Sequence, residues 1–250
     1  MKKIKLLSAL ALSIGVVSTL ATTASADTKT SNGYASFKED TSAIEPKIPG
    51  EIGGGKVDPN PGKGTVTYTP IGKNELGIVQ SPTIFNFGET ILKPDSRRND
   101  LTIQALAKNA DGSSFADVYG DKSYVQYVTV YDGRTAVDGW ELTASATELT
   151  DKTATSKKLT GATISVANTK RWNEDVDAGK GPNTNLSGSD FTITTDGTPA
   201  KVMGTTTAKY ESDVVFRAED VSLKIPKQSV QLGNFDGTVT WTLVAAPTTP

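Results

Sequence analysis

The 250-residue chain contains neither cysteine nor histidine. Without histidine, a Ser-His-Asp or Cys-His nucleophile system cannot be built, and a histidine-ligated zinc site is excluded. Without cysteine, neither disulfides nor thiol chemistry contribute to the protein. The enzyme chemistry that remains open is carboxylate catalysis of the glycosidase type, in which two acids flank a sugar bond.

Acidic residues outnumber basic ones, and the excess grows once the predicted leader is removed. The complete chain carries 26 Lys and Arg residues against 28 Asp and Glu residues. Residues 1–26 contain Lys2, Lys3 and Lys5 and no acid, so the mature chain has 23 basic and 28 acidic residues and a net charge of −5. Nucleic-acid-binding proteins need a basic patch or stripe, and nucleic acid is therefore not expected as a partner.

The first 26 residues have the organisation of a secretory signal peptide. A basic start precedes a mostly apolar stretch at 6–20, and Ala24-Ser25-Ala26 is a small-x-small cleavage signal. The apolar stretch is shorter than the roughly 20 residues that span a bilayer, which disfavours the alternative of a retained anchor. No later segment is long enough to span one either. We predict cleavage before Asp27 and an exported protein at the cell surface.

Residues 27–63 are polar and rich in proline and glycine. This composition predicts an exposed N-terminal arm or linker, because proline extends the chain and glycine loosens it. An alternative is an arm that wraps the main domain, with residues 34–37 docking as an edge strand.

The pattern of residues 64–250 predicts one all-β domain. The segments are short, rich in Val, Ile, Thr and aromatic residues, and separated by turn signals such as Asp111-Gly112 and Asp196-Gly197. No window sustains a helical period. Roughly ten short strands fit an antiparallel sandwich or barrel, and we favour a β-sandwich, Ig-like or related. The predicted strands are 65–69, 83–87, 101–107, 124–131, 139–146, 162–167, 191–195, 214–218, 221–225 and 237–244.

Two of the predicted strands carry a Trp-x-Leu sequence. Side chains of a strand alternate between faces, so Trp140 shares a face with Leu142, and Trp241 shares a face with Leu243. Their spacing predicts that the end of the domain pairs with, or packs on, its middle. We favour core tryptophans that each bury about 150–250 Å². The alternative is that the indoles stack on sugar rings.

With these motifs in this order, the chain resembles the WxL-domain family of Gram-positive surface proteins, named after two Trp-x-Leu motifs. The resemblance covers roughly residues 64–247, behind a signal peptide and a Pro-rich arm. It implies non-covalent attachment to the cell wall through peptidoglycan binding by the C-terminal domain. It also implies action beside membrane-anchored partner proteins. The segments that carry it are 83–88, 125–132, 139–146, 159–164, 221–226 and 237–243.

Further candidate ligand contacts lie in polar segments. Arg171 and Trp172 stand in a segment predicted to lie between strands, where an aromatic ring beside a cation could contact a glycan or a peptide. Arg97 and Arg98 could bind anionic wall polymers or the carboxylates of stem peptides through their planar guanidinium groups. The structural alternatives are a tryptophan tucked onto the sandwich edge and solvated charges in a turn.

The acidic residues give no specific signal for a metal site or for catalysis. The segment from Asn109 begins like a calcium loop, but its twelfth position is Gly120 and not a glutamate. We predict no catalytic residue, no metal and no cofactor. The predicted function is non-enzymatic attachment to the cell wall through peptidoglycan. The alternative is a surface assembly protein that mainly binds a membrane-anchored partner protein, with wall contact secondary, and a carbohydrate-active enzyme is the third interpretation.

Overall fold

The chain folds as an antiparallel all-β structure, which confirms the predicted fold class. A computed structural model describes residues 26–28, 66–93, 95–109, 111–115, 124–135, 138–174 and 185–245. Besides strands, these residues contain the short 3-10 helices Ala218–Asp220 and Lys227–Ser229. The strands are β1 (Ala26–Thr28), β2 (Val66–Tyr68), β3 (Leu76–Pro82), β4 (Leu101–Gln104), β5 (Val125–Asp132), β6 (Trp140–Ala146), β7 (Thr150–Asp151), β8 (Thr163–Val166), β9 (Lys170–Asn173), β10 (Phe191–Thr194), β11 (Ala200–Thr205), β12 (Tyr210–Arg217), β13 (Val221–Ile225), β14 (Phe235–Asp236) and β15 (Val239–Ala245).

The strands form three larger sheets and one short pair. The motif sheet has the order β1-β15-β6-β11, the five-stranded sheet β2-β3-β5-β12-β9, and the third sheet β10-β8-β13-β4. Strands β14 and β7 pair separately. One hydrophobic core takes side chains from all three larger sheets, as in a β-sandwich. Every pairing between these strands is antiparallel.

The centre of the motif sheet is the pairing of β6 with β15. Leu142 lies opposite Leu243, and Ala144 lies opposite Trp241. Along β6 the buried positions alternate with half-buried ones, so its apolar side chains line the core and its polar ones face outward. This pairing confirms that the end of the domain returns to its middle.

Strand β5 lies inside the five-stranded sheet and is covered on both faces. Val128 and Val130 belong to the main core, whereas Val125 and Tyr127 form a second small cluster on the opposite face. A strand buried on both faces does not show a clean alternation of apolar and polar residues. For β5 the run of Val, Tyr and Thr residues was nevertheless sufficient to predict the strand.

The main difference from the sequence prediction concerns residues 76–87. Strand β3 occupies Leu76–Pro82, whereas the predicted strand at 83–87 is wrong: this segment makes only an isolated bridge, from Asn86 to Leu106. The local preference of β3 for a strand is weak because it contains Gly77, Gln80 and Pro82. Its pairing with β5 overrides this weak local preference, because strand formation depends strongly on partners.

Strand β1 extends the motif sheet at its outer edge. Thr28 lies opposite Thr242, inside the second Trp-x-Leu motif. The pairing begins where the predicted signal peptide meets the predicted arm. Residues 34–37, considered above as an edge strand, lie outside the described residues, as do most of the predicted signal peptide and the predicted arm.

Replacement of Leu243 by alanine tests the importance of the β6–β15 core. Leu243 is completely buried, so the truncation should lower the free energy of unfolding by about 2–5 kcal/mol through lost burial and a residual cavity. Urea denaturation of the mature protein measures this. Thr240→Ala on the same strand is the control, and we expect a change within about 0.5 kcal/mol for this half-buried, outward-facing position. Equal free energies of unfolding for the two variants would contradict the assignment of Leu243 to the core.

Candidate functional site

The residues of both Trp-x-Leu motifs lie in the core. Leu142 and Leu243 are completely buried, Trp140 is 1% exposed and Trp241 is 7% exposed. The indole of Trp241 meets Phe85 and Phe191 edge-on, with ring centroids 6.5 and 6.3 Å apart. Such edge-to-face contacts stabilise aromatic pairs beyond their buried area. The motif side chains therefore hold the sandwich together and leave almost no surface for a ligand.

An open groove lies beside Trp241 at the end of the sandwich where β6 ends and β15 begins. We call it the groove: its walls are residues 82–90 and 230–239, and Trp241 also lines it. Its volume is about 1090 Å³, slightly above the roughly 300–1,000 Å³ of ordinary small-molecule sites. Ile164, Leu223 and Ile225 contribute apolar lining from strands β8 and β13. Two segments that lie about 150 residues apart in sequence thus form one cleft.

The groove combines an apolar interior with a polar rim. Phe85 and Phe87 are half-buried, and Leu232 is 67% exposed. Polar lining comes from Asn86, Glu89, Thr90, Lys152, Gln231, Asn234 and Asp236. This mixture suits a ligand with apolar faces and many polar groups, because the few convergent polar groups of a site orient what the apolar surface binds.

The first wall of the groove is held in place by Asn86. Its side-chain amide donates to the carbonyl oxygens of Lys108 and Asn109, at 3.2 and 3.1 Å, and its Oδ1 accepts from the backbone N–H of Gly88 at 2.8 Å. Gly88 has a φ of +64°, a left-handed conformation that glycine adopts without strain. These contacts fix the direction of the chain between Phe85 and Gly88.

The opposite wall depends on Asp151, a buried carboxylate at the β7–β14 pair. Its Oδ1 accepts from the N–H and the hydroxyl of Thr153 and from the N–H of Ala154, and its Oδ2 accepts from the N–H of Asn234 at 2.9 Å. Hydrogen bonds from Thr153, then from Ala154 and Asn234, hold the pKa of Asp151 far below its ordinary value. One carboxylate therefore ties residues 152–154 to the wall at 230–239.

Arg97 and Arg98 lie in a turn that connects two residues of the groove, Leu92 and Leu101. Both arginines are exposed, and among the described residues neither forms an ion pair. Asp100 anchors the end of this turn by accepting from the N–H of Lys227 and by pairing with Lys224 at 3.1 Å. These two contacts lower the pKa of Asp100. The turn that carries the two arginines is thus joined at both ends to residues of the groove, whereas neither arginine lines it.

Arg171 and Trp172 are located differently from the sequence prediction. They belong to strand β9 and not to a loop, because β9 pairs with β12 and places Trp172 opposite Asp213. Trp172 is only 4% exposed. The Arg171 guanidinium donates to the carbonyl oxygens of Ser189 and Val202, at 2.6 and 2.9 Å. Burial lowers the pKa of Arg171, against the opposing charge of Asp190. Neither residue lines the groove.

Sequence reasoning missed most of the groove residues. The signal that could have found them is the pair Phe85 and Phe87, two of only seven phenylalanines in the chain. Their alternation indicated a strand, and nothing local shows that the segment crosses the end of a sandwich. Phe235 and Leu232 come from a segment far along the chain. Only folding brings these four residues together.

The fold is an antiparallel β-sandwich with an open groove at one end. A model of the family described as "WxL domain surface cell wall-binding" matches residues 24–247. The chain belongs to this family, and it is a cell-surface protein that binds the cell wall. Comparisons with curated proteins and with solved structures gave no match. Among the described residues, no helix has the length and apolar character needed to cross a membrane.

Replacement of Asp151 by asparagine tests the wall of the groove. The pKa of this carboxyl is lower in the folded protein than in the unfolded chain, where it is about 4. Its contribution to stability is therefore complete above about pH 4. That contribution is lost as the pH falls from there through the folded-state pKa. Asp151→Asn should therefore lower the melting temperature at pH 7, and its difference from the unaltered protein should narrow below about pH 4.

The control is Asp236→Asn, which removes an exposed carboxylate whose ion pair with Lys152 is also exposed. Such pairs contribute little to stability, and we expect a nearly unchanged melting temperature. Thermal unfolding, monitored by circular dichroism between pH 2 and pH 8, gives the melting temperatures of both variants and of the unaltered protein. A pH-independent difference for Asp151→Asn would contradict the role assigned to the carboxylate.

Proposed function

We propose that this protein is exported by its signal peptide and attaches to the wall without covalent linkage, by binding peptidoglycan in the groove. The observation that supports this is the groove itself, an open cleft with aromatic lining and a polar rim in a wall-binding domain. The second Trp-x-Leu motif supports the groove from the core, since Trp241 packs against Phe85 in the groove wall.

The chemistry of peptidoglycan fits this arrangement. The C–H face of a sugar ring is apolar and suits an aromatic ring, whereas its hydroxyl and amide groups need hydrogen-bond partners. The apolar face of the sugar contacts Phe85, Phe87 and Phe235. The hydroxyl and amide groups form hydrogen bonds with Asn234 and Gln231. The protein carries out no covalent chemistry on the wall. Each contact is weak, and many contacts at one surface hold the protein there.

The exposed arginines give the site a cationic border. The carboxylates of stem peptides are anionic, and a guanidinium binds a carboxylate through two parallel hydrogen bonds. The exposed side chains of Arg97 and Arg98 stand on a turn anchored by Asp100. We infer that they bind peptide carboxylates that extend from a glycan chain held in the groove.

Sedimentation with purified peptidoglycan, freed of protein and teichoic acid, tests the proposal. The mature protein should pellet with it, and Leu232→Gln should reduce the affinity by roughly threefold to tenfold, because an exposed apolar side chain of the groove is lost. Leu232→Met is the matched control, since it keeps an apolar side chain of similar volume at the same position and should retain the affinity. A folded, homogeneous protein that stays in the supernatant at every ionic strength would refute peptidoglycan binding.

The charged border gives a separate expectation. Arg97→Gln with Arg98→Gln should weaken pelleting at low ionic strength and flatten its salt dependence, because exposed charges act mainly within a Debye length. The melting temperature should not change. Arg217→Gln removes another exposed arginine, one that is paired with Glu219 and lies outside the groove. If the double variant and the Arg217 control show the same salt dependence of pelleting, Arg97 and Arg98 do not contribute to wall binding.

A second candidate function is assembly with a membrane-anchored partner protein, with wall contact secondary. The observation that favours it is the outer edge of β15. Strand β1 pairs with residues 242–244 of β15, and among the described strands none covers 239–241 on that edge. A partner could add a strand there. Co-purification with a surface partner, by a protein that does not pellet with peptidoglycan, would favour this function over the first.

A further inference from the structure

A pair of tyrosines lies at the opposite end of the five-stranded sheet from the groove. Tyr131 is near the end of β5, and Tyr210 begins β12. Their ring centroids are 6.3 Å apart, with an angle of 53° between the ring planes. Tyr210 is 46% exposed and Tyr131 is half-buried. We call them the tyrosine pair, and neither residue lines the groove.

The backbone of Tyr210 is held in an unfavourable conformation. Its φ is +59°, in the left-handed region that a bulky side chain rarely adopts. Such conformations persist only where the surrounding structure enforces them, and they cluster at functional sites. The left-handed backbone sets the direction in which this exposed ring leaves the strand.

Asn173 enforces this conformation from inside the protein. Its side chain is completely buried, and its Nδ2 donates to the carbonyl oxygens of Lys209 and Glu211, at 2.8 and 3.0 Å, and to the Ser212 hydroxyl at 2.8 Å. The first two carbonyls stand on either side of Tyr210. A buried amide is thus used to fix the backbone around one exposed ring.

The neighbouring strand end is fixed as firmly. Asp132, directly opposite Tyr210, is 1% exposed, and Arg134 binds both of its carboxylate oxygens at 2.9 and 2.8 Å. The same guanidinium donates to the Gly139 carbonyl at 2.9 Å. The Tyr131 hydroxyl donates to the Lys73 carbonyl at 3.4 Å. Both rings are therefore carried on a preorganised support, which lowers the entropic cost of binding.

From this geometry we infer that the tyrosine pair is a second wall contact, one that stacks on a pyranose ring of the glycan strand. This inference rests on the proposed peptidoglycan binding. An exposed aromatic ring suits the apolar face of a sugar. The exposed residues near the pair are polar. Lys73, whose carbonyl accepts from Tyr131, is followed by Asn74, and Thr206 and Thr207 shortly precede Tyr210 in the chain. These surroundings suit a hydroxylated ligand better than an apolar protein surface.

Two contacts at opposite ends of one domain would have a mechanical consequence. A glycan held in the groove and another held at the tyrosine pair would be bridged by one molecule. The second contact then forms at a high effective concentration, which raises the overall affinity without strengthening either site. The protein would thus cross-link the glycan mesh non-covalently.

The test is a titration of the mature protein with a soluble β-1,4-linked N-acetylglucosamine oligosaccharide, followed by NMR signals of labelled tyrosine rings. In the unaltered protein, the signals of Tyr131 and Tyr210 should shift on addition of the sugar. Tyr210→Gly removes the ring and accepts the left-handed backbone without strain. It should bind this oligosaccharide roughly threefold to tenfold more weakly at the tyrosine pair, while its melting temperature is retained or raised.

Tyr124 offers a matched control, because it is another tyrosine with a positive φ, +44°, and it is not part of the pair. Tyr124→Gly makes the same chemical change and should leave the shifts of Tyr131 and Tyr210 unaltered. Tyr131→Phe keeps the ring and should retain binding. The inference is wrong if Tyr210→Gly binds as the unaltered protein does, or if it loses melting temperature with no loss of affinity, since the ring then serves only packing.

Wall sedimentation separates failure of this inference from failure of the proposed function. If the unaltered protein pellets with peptidoglycan but the tyrosine signals do not respond to the oligosaccharide, the second contact is refuted and groove binding stands. If Leu232→Gln and Tyr210→Gly each reduce pelleting, and together reduce it further, the bridging arrangement is supported. A protein that does not pellet at all refutes the proposed function.

Discussion

The pairing of β6 with β15 is the interaction on which the rest of the structure depends. It joins residues about a hundred positions apart and places Leu142 opposite Leu243 in the core. Closing so long a loop costs conformational entropy, which only long-range burial can offset. The two Trp-x-Leu motifs supply that burial. They close the sandwich, and the groove that we propose as the binding site exists only in this closed fold.

The groove shows how buried residues position a surface that they hardly form themselves. Trp241 supports Phe85 from the core, and Asp151 joins the opposite wall to the body of the domain. At the other end of the five-stranded sheet, Asn173 does the same for Tyr210. In each place a buried group fixes the exposed residues. In the proposed function, this preorganised aromatic surface would bind a ligand that offers many identical weak contacts.

The accuracy of the sequence predictions follows the strength of the local pattern. Strands β6, β13 and β15 alternate in polarity, and their positions were predicted closely. Strand β3 was missed because Gly77, Gln80 and Pro82 weaken its signal, and its pairing with β5 decides its structure. Polar neighbours made the segment around Trp172 resemble a loop, but its register with Asp213 makes it a strand. Local propensity cannot report a partner supplied from elsewhere in the chain.

From the sequence alone came the all-β class, the faces of the motif strands, the favoured core position of both tryptophans, and the family resemblance. All of these depend on neighbours within a few residues or on motif order. Tertiary structure alone decided the groove, the docking of β1 and the tyrosine pair. Residues 82–90 begin at the end of β3, and residues 230–239 lead into β15. The two segments meet because these two strand ends lie beside each other in the fold. A concave surface is a relation between distant segments, and no local periodicity encodes that relation.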